Sequence, residues 1–125
     1  MKIALIGYGG MGKVVARIAL ERGHENSAII DPHAVEATGK SLDTSALRDA
    51  DVAIDFSNAE AVLENARVCS EAGVNLIVGT TGLYAKIDEV RKIVESKSGI
   101  GFLWSSNFSI GVNLYFKIIE ADQTG

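Results

Sequence analysis

The chain has 125 residues, enough for one domain with a genuine core, and 47% of them are hydrophobic, which argues against disorder. A formal net charge of −4, with the charges scattered, gives no footprint for nucleic acid or an anionic membrane, so an anionic ligand must be held by local groups. The single cysteine, Cys69, cannot form an internal disulfide; no apolar run approaches the roughly 18 residues of a membrane span, and no signal-peptide layout precedes the first strand, so a cytoplasmic protein is expected.

Lys2–Ile6 is a short apolar run ended by glycine, the pattern of a strand buried on both faces of a parallel sheet. Met11, Val14, Val15, Ile18 and Ala19 then form one helical stripe, and Gly23 stands where a helix needs its C′ glycine. Ser27–Ile30 reads as a second strand. Residues 32–50 are irregular, with Pro32, Gly39 and a short helical candidate at Ser45–Asp49. Asp51–Phe56 is a third strand. Ser57-Asn58-Ala59-Glu60 is a capping-box pattern with Ser57 as cap, opening a helix that ends before Gly73. Asn75–Val78 is a strand followed by the turn Gly79-Thr80-Thr81-Gly82. Ile87, Val90, Ile93 and Val94 mark a helix ending before Gly99, Ile100–Trp104 a strand, and Ile110–Ala121 a last helix. This alternation predicts a single α/β domain of Rossmann type, a doubly wound parallel sheet with helices on both faces.

Gly7-Tyr8-Gly9-Gly10-Met11-Gly12 fits G-x-G-x-x-G and has the context that gives the pattern meaning, a strand before it and a helix after it. Gly7 permits the tight turn, Gly9 lets backbone approach a pyrophosphate, and Gly12 lets the helix pack on the strand. The helix N-terminus offers free N–H groups and partial positive charge. Asp31 ends the second strand 19 positions past Gly12, where the fingerprint wants a carboxylate for the adenosine ribose; the competing reading is a loop aspartate that caps the turn before Pro32. A carboxylate there disfavours a 2′-phosphate and so favours NADH, while Lys13 and His33 keep NADPH open.

Ligands of open parallel sheets lie beyond the carboxyl ends of the strands. Asp55-Phe56-Ser57, Gly79-Thr80-Thr81-Gly82 and Ser105-Ser106-Asn107-Phe108-Ser109 supply glycines, hydroxyls, an amide and aromatic rings there, so Ser57 and Ser106 are further cofactor candidates. Asp55, inside an apolar strand, reads equally as a buried structural carboxylate. His24 reads as solvated, Cys69 as a packed thiol and Trp104 as core. Two histidines and one cysteine do not make a metal site.

These motifs, with Asn107-Phe108-Ser109-Ile110-Gly111-Val112-Asn113-Leu114, give the chain a resemblance to the N-terminal domain of the dihydrodipicolinate reductase family, the reductases of lysine and diaminopimelate biosynthesis. The resemblance covers nearly the whole chain. It implies that Gly7, Gly9, Gly10, Met11, Gly12 and Asp31 serve the adenosine and pyrophosphate half of NADH or NADPH. It implies that Phe56, Gly79, Thr81, Asn107 and Phe108 line the nicotinamide end, with Thr81 also facing substrate. The family's second domain carries a His-His segment, a lysine after it and a D-A-P-S-G-T loop; the only proline here is Pro32, so that loop is not in this sequence. The expectation is a cofactor domain over residues 1–125 with no catalytic acid of its own. Substrate would be bound together with a second, oligomer-forming domain. Two other classes share the glycine turn and Asp31: a non-catalytic nucleotide-sensing module, and a methyltransferase domain using S-adenosylmethionine.

Overall fold

A computed structural model describes residues 1–79, 83–95, 100–104, 117 and 120. Their elements alternate as expected: β1 (Lys2–Ile6), α1 (Gly10–Glu21), β2 (Glu25–Ile30), β3 (Val52–Asp55), α2 (Ala59–Ala72), β4 (Asn75–Val78), α3 (Ile87–Glu95) and β5 (Phe102–Trp104), with a 3-10 turn at Tyr84–Lys86 before α3. The five strands form one sheet in the order β2-β1-β3-β4-β5, and every pairing is parallel. The doubly wound α/β fold is therefore observed.

Alternation along the strands divides the core between the two faces. Ile3 and Leu5 of β1, with Val52, Ile54 and Ile77, pack beneath Val15, Ala16 and Ala19 of α1. Ala4 and Ile6, with Ala53, Leu76 and Val78, face Val62, Ala66 and Cys69 of α2 and Val90 and Val94 of α3. Cys69 is a packed, free thiol, and burial pushes its pKa up to about 12. Trp104 is half-buried and packs against the α2/α3 side of the core.

The chain winds out from β1 to β2 and then crosses back to place β3 on the other side of β1. The connections leaving β1 and β3 therefore diverge, and a crevice opens at their carboxyl ends. The irregular segment after β2 adds no regular strand; Thr38 and Gly39 bond to Ile29 and form one bridge to Ile30, covering the outer edge of β2.

Four local expectations change. The candidate helix at Ser45–Asp49 is a run of turns, in which Leu47 N–H donates to Thr44 and Arg48 N–H to Ser45, three residues back, with Asp43 capping Ala46. β2 begins at Glu25 rather than Ser27, because β1 extends far enough to pair with it there. The cap of α2 is Asn58, whose Oδ1 accepts from Ala61 N–H at 2.9 Å, and not Ser57, whose hydroxyl is held elsewhere. His24 is buried: its ring lies 3.3 Å from the Met1 amino group and 3.3 Å from Glu120, and Glu120 is also gripped by Arg22 at 2.7 Å. The Arg22 guanidinium holds the Glu120 carboxyl down to about 2. The expected helix at Ile110–Ala121 lies outside the described residues apart from 117 and 120, both of which are helical.

Candidate functional site

The parallel hydrogen-bond ladder runs on past the strand ends. Gly7 N–H donates to Ile30 at 2.7 Å, Phe56 N–H to Ile6 at 2.7 Å and Gly79 N–H to Asp55 at 2.9 Å. The chain thus leaves the ends of β1, β3 and β4 at one level, and Gly7, Gly12 and Gly79 are dictated by what they touch.

Gly7 has φ +92°, and a Cβ on it would stand 2.9 Å from the Phe56 carbonyl carbon and the Ser57 nitrogen. It combines a left-handed backbone with close passage over the β3–α2 turn. A Cβ on Gly12 would strike the Gly7 carbonyl oxygen, so Gly12 brings α1 down onto the turn that precedes it. Gly9 and Gly10 differ: a Cβ on either meets nothing within 4 Å. Gly9 caps α1 without a side chain, and the first turn holds no acidic residue. The first backbone bond of the helix runs from Lys13 to Gly9, which leaves the N–H groups of Gly10, Met11 and Gly12 without a helical carbonyl. The result is a positive helix end facing open space, suited to an anion.

Asp31 stands beside this turn. Its Oδ2 accepts from Tyr8 N–H at 2.7 Å, and its Oδ1 accepts from His33 N–H at 2.7 Å and Ala34 N–H at 3.0 Å. These donors, Tyr8 first, hold its pKa below the usual carboxylate range. Asp31 thus caps the turn after β2 and ties it to the glycine turn. Lys13, on the same side, reaches over the Tyr8 ring at 5.8 Å.

The second turn carries Asp55, Phe56 and Ser57. Asp55 is wholly buried, as the structural reading of it anticipated. Its Oδ1 accepts from Ser57 N–H at 2.7 Å and Ser57 Oγ at 2.5 Å, and its Oδ2 accepts from Asn65 Nδ2 at 2.8 Å. Burial raises its pKa against the pull of those donors. At the third turn a Cβ on Gly79 would collide with the Phe56 ring, so the ring of one turn occupies the space that the glycine of the next leaves.

A cleft of about 620 Å³ joins the first two turns to the segment after β2. Gly7, Gly9, Asp31, Phe56 and Ser57, all candidates from the sequence, line it; so do His33, Lys40 and Asn65, of which Lys40 and Asn65 carried no signal in the sequence. Gly10 and Met11 stand at the start of α1 beside it. Thr81, Ser106, Asn107 and Phe108 lie outside the described residues. Among the described residues no cluster of His, Cys, Asp and Glu could hold a metal ion, and no helix is long and apolar enough to cross a membrane.

Comparisons with known proteins bear on the chain's family and on its fold. Residues 1–108 match the family described as dihydrodipicolinate reductase, N-terminus. A 4-hydroxy-tetrahydrodipicolinate reductase of Staphylococcus haemolyticus is 40% identical over 124 residues, covering 97% of this chain and 50% of the relative. One from Archaeoglobus fulgidus is 36% identical over 133 residues, covering 96% of this chain and 51% of that protein. The chain therefore spans about half the length of the curated relatives it matches. Among solved structures, homoserine dehydrogenase of S. aureus superposes with a TM-score of 0.68 at 15% identity, over 85% of this chain and 32% of that one. A hyperthermophilic archaeal homoserine dehydrogenase solved with NADPH superposes with a TM-score of 0.63 at 15% identity, over 84% of this chain and 43% of that one. These two show a shared fold; the family match and the curated relatives show more, and the chain belongs to the dihydrodipicolinate reductase N-terminal family.

Proposed function

We propose that this chain is the NAD(P)H-binding domain of a reductase that delivers hydride to a cyclic dicarboxylate, the 4-hydroxy-tetrahydrodipicolinate for which its relatives are named. The observation that carries the reading is the glycine turn: Gly7 and Gly12 are closed by protein, whereas Gly9 and Gly10 face open space at an uncapped helix N-terminus. That is a cradle for a pyrophosphate, with the N–H groups of Gly10, Met11 and Gly12 as donors. Asp31 holds the turn and accepts from the adenosine ribose, and Phe56 and Gly79 bound the nicotinamide end. Thr81, Ser106, Asn107 and Phe108 complete that end, and Thr81 faces substrate. The nicotinamide supplies the hydride; the protein binds and orients it.

Lys40 and His33 line the same cleft as Asp31, so one ammonium and one imidazole stand opposite one carboxylate where a 2′-phosphate would lie. The cleft therefore accommodates either NADH or NADPH. Hydride transfer also needs a held substrate and a proton donor. The residues expected at the nicotinamide end, Thr81, Ser105, Ser106 and Asn107, are neutral and clamp a dicarboxylate poorly. Substrate capture and protonation therefore belong to a second domain outside residues 1–125, through which the whole protein forms a homo-oligomer. Calorimetric titration with NADH, NADPH and S-adenosylmethionine tests the binding reading. NADH is expected to bind and S-adenosylmethionine not to; the reverse result overturns it. Following NADH absorbance with enzymatically generated substrate tests the division of labour, with no oxidation above the buffer rate expected from these 125 residues.

A further inference from the structure

Asp55 closes β3 at the crevice, and Asn65 lies in the second turn of α2, 9% exposed and lining the cleft. Asn65 Nδ2 lies 2.8 Å from Asp55 Oδ2 and 3.3 Å from Ser57 Oγ, while Ser57 Oγ lies 2.5 Å from Asp55 Oδ1. Ser57 N–H and the Asn65 amide each donate to a different Asp55 oxygen, so both oxygens are met by donors as in a carboxylate without a proton, and such a group only accepts hydrogen bonds. It therefore draws the one hydroxyl proton of Ser57 inward. It also fixes the Asn65 amide with its nitrogen inward, so the carbonyl oxygen is turned away from Asp55. Ser57 keeps lone pairs and has no proton left to give.

We propose that Asp55 and Asn65 are positioning residues that make Ser57 a hydrogen-bond acceptor, so that this corner of the cleft takes a ligand hydroxyl, such as that of a ribose, and disfavours a phosphate oxygen. A phosphate there would set acceptor against acceptor beside a buried carboxylate. The anion is left to the helix end at Gly9 and Gly10, and the two subsites together order phosphate and sugar along the cleft. The proposal rests on the dinucleotide reading above.

A double-mutant cycle tests it, with NADH fluorescence titration as the readout and circular dichroism confirming the fold. Ser57→Ala is expected to weaken NADH about threefold to tenfold, the range of one neutral hydrogen bond. Asn65→Leu is expected to weaken it by a similar factor. In the Ser57→Ala background Asn65→Leu should add no further loss, because its effect passes through the hydroxyl. Ser57→Thr, which puts the hydroxyl back, should recover most of the loss. Additive losses, or an undiminished affinity in folded Asn65→Leu, overturn the proposal. Where Asn65→Leu does not fold, Asn65→Ala takes its place in the cycle. Failure of the unaltered chain to bind NADH refutes the dinucleotide reading itself; binding without coupling between Ser57 and Asn65 refutes only this inference.

Discussion

Two glycines of one motif should respond in opposite ways to the same substitution. Gly9 has φ −83° and ψ −157°, which alanine adopts freely, and its Cβ would meet nothing within 4 Å. Gly9→Ala should leave the fold intact, because a gain of about 0.4–1 kcal/mol from restricting the unfolded chain is offset by the poorer N-cap that alanine makes for α1. At roughly 4 °C per kcal/mol for a domain of this size, Tm should stay within about 4 °C of the parent. The new methyl stands where a pyrophosphate would lie against the backbone, so NADH affinity should fall at least about tenfold, or about 1.4 kcal/mol. Gly12→Ala drives a Cβ into the Gly7 carbonyl oxygen, a backbone atom that cannot swing aside. Overpacking of this kind costs about 1–3 kcal/mol, partly offset by up to about 1 kcal/mol of helix propensity. A net loss of about 1–2 kcal/mol lowers Tm by about 4–8 °C. Thermal melts followed by circular dichroism and NADH fluorescence titrations measure both quantities on both variants. A folded Gly9→Ala chain with unchanged NADH affinity would refute the assignment of the turn, and an unshifted Tm for Gly12→Ala would refute the packing argument.

Asp31→Ala should weaken NADH more than NADPH, because the loss of a ribose acceptor is offset only for NADPH by the removal of a repulsion; equal losses in paired titrations would show that Asp31 acts only through Tyr8, His33 and Ala34. Asp55→Ala leaves Asn65 and Ser57 without their buried acceptor and should cost about 1–3 kcal/mol in urea unfolding; a stability within experimental error of the parent would contradict the network. Gly79→Ala displaces the Phe56 ring and should lower Tm by several degrees, with a shift of the Phe56 ring resonances in NMR spectra; unmoved resonances would disprove the contact. Glu120 has a folded pKa of about 2, depressed below its unfolded value of about 4.3, so its contribution is fully present above the unfolded value and is lost as pH falls toward 2. The stability gap between the chain and Glu120→Gln should therefore close between about pH 5 and pH 2, and a gap that persists at pH 2 would show that charge is not its source.

The order of strands and helices was legible from the residues because hydrophobic periodicity and glycine punctuation are local signals. Lys2–Ile6 and Asn75–Val78 are strands as read, and Gly23 and Gly73, both at positive φ, end helices as read. The glycine turn was legible for the same reason: its meaning depends only on the strand before it and the helix after it. What tertiary structure decided was partnership across distance. Ser57 and Asn58 are adjacent and both are good caps; Asn58 took the helix because buried Asp55 had claimed the Ser57 hydroxyl. His24 follows a helix-ending glycine and looks solvated until Glu120, 96 positions away, closes over it. Asn65 is one polar residue in an amphipathic helix, and only the crossing of α2 over the end of β3 sets its amide against Asp55. Gly79 reads as a turn residue, yet the space it leaves belongs to Phe56. Periodicity records which face of an element is buried. It does not record which buried polar group finds which partner, because that depends on how the parallel sheet brings remote strand ends to one level.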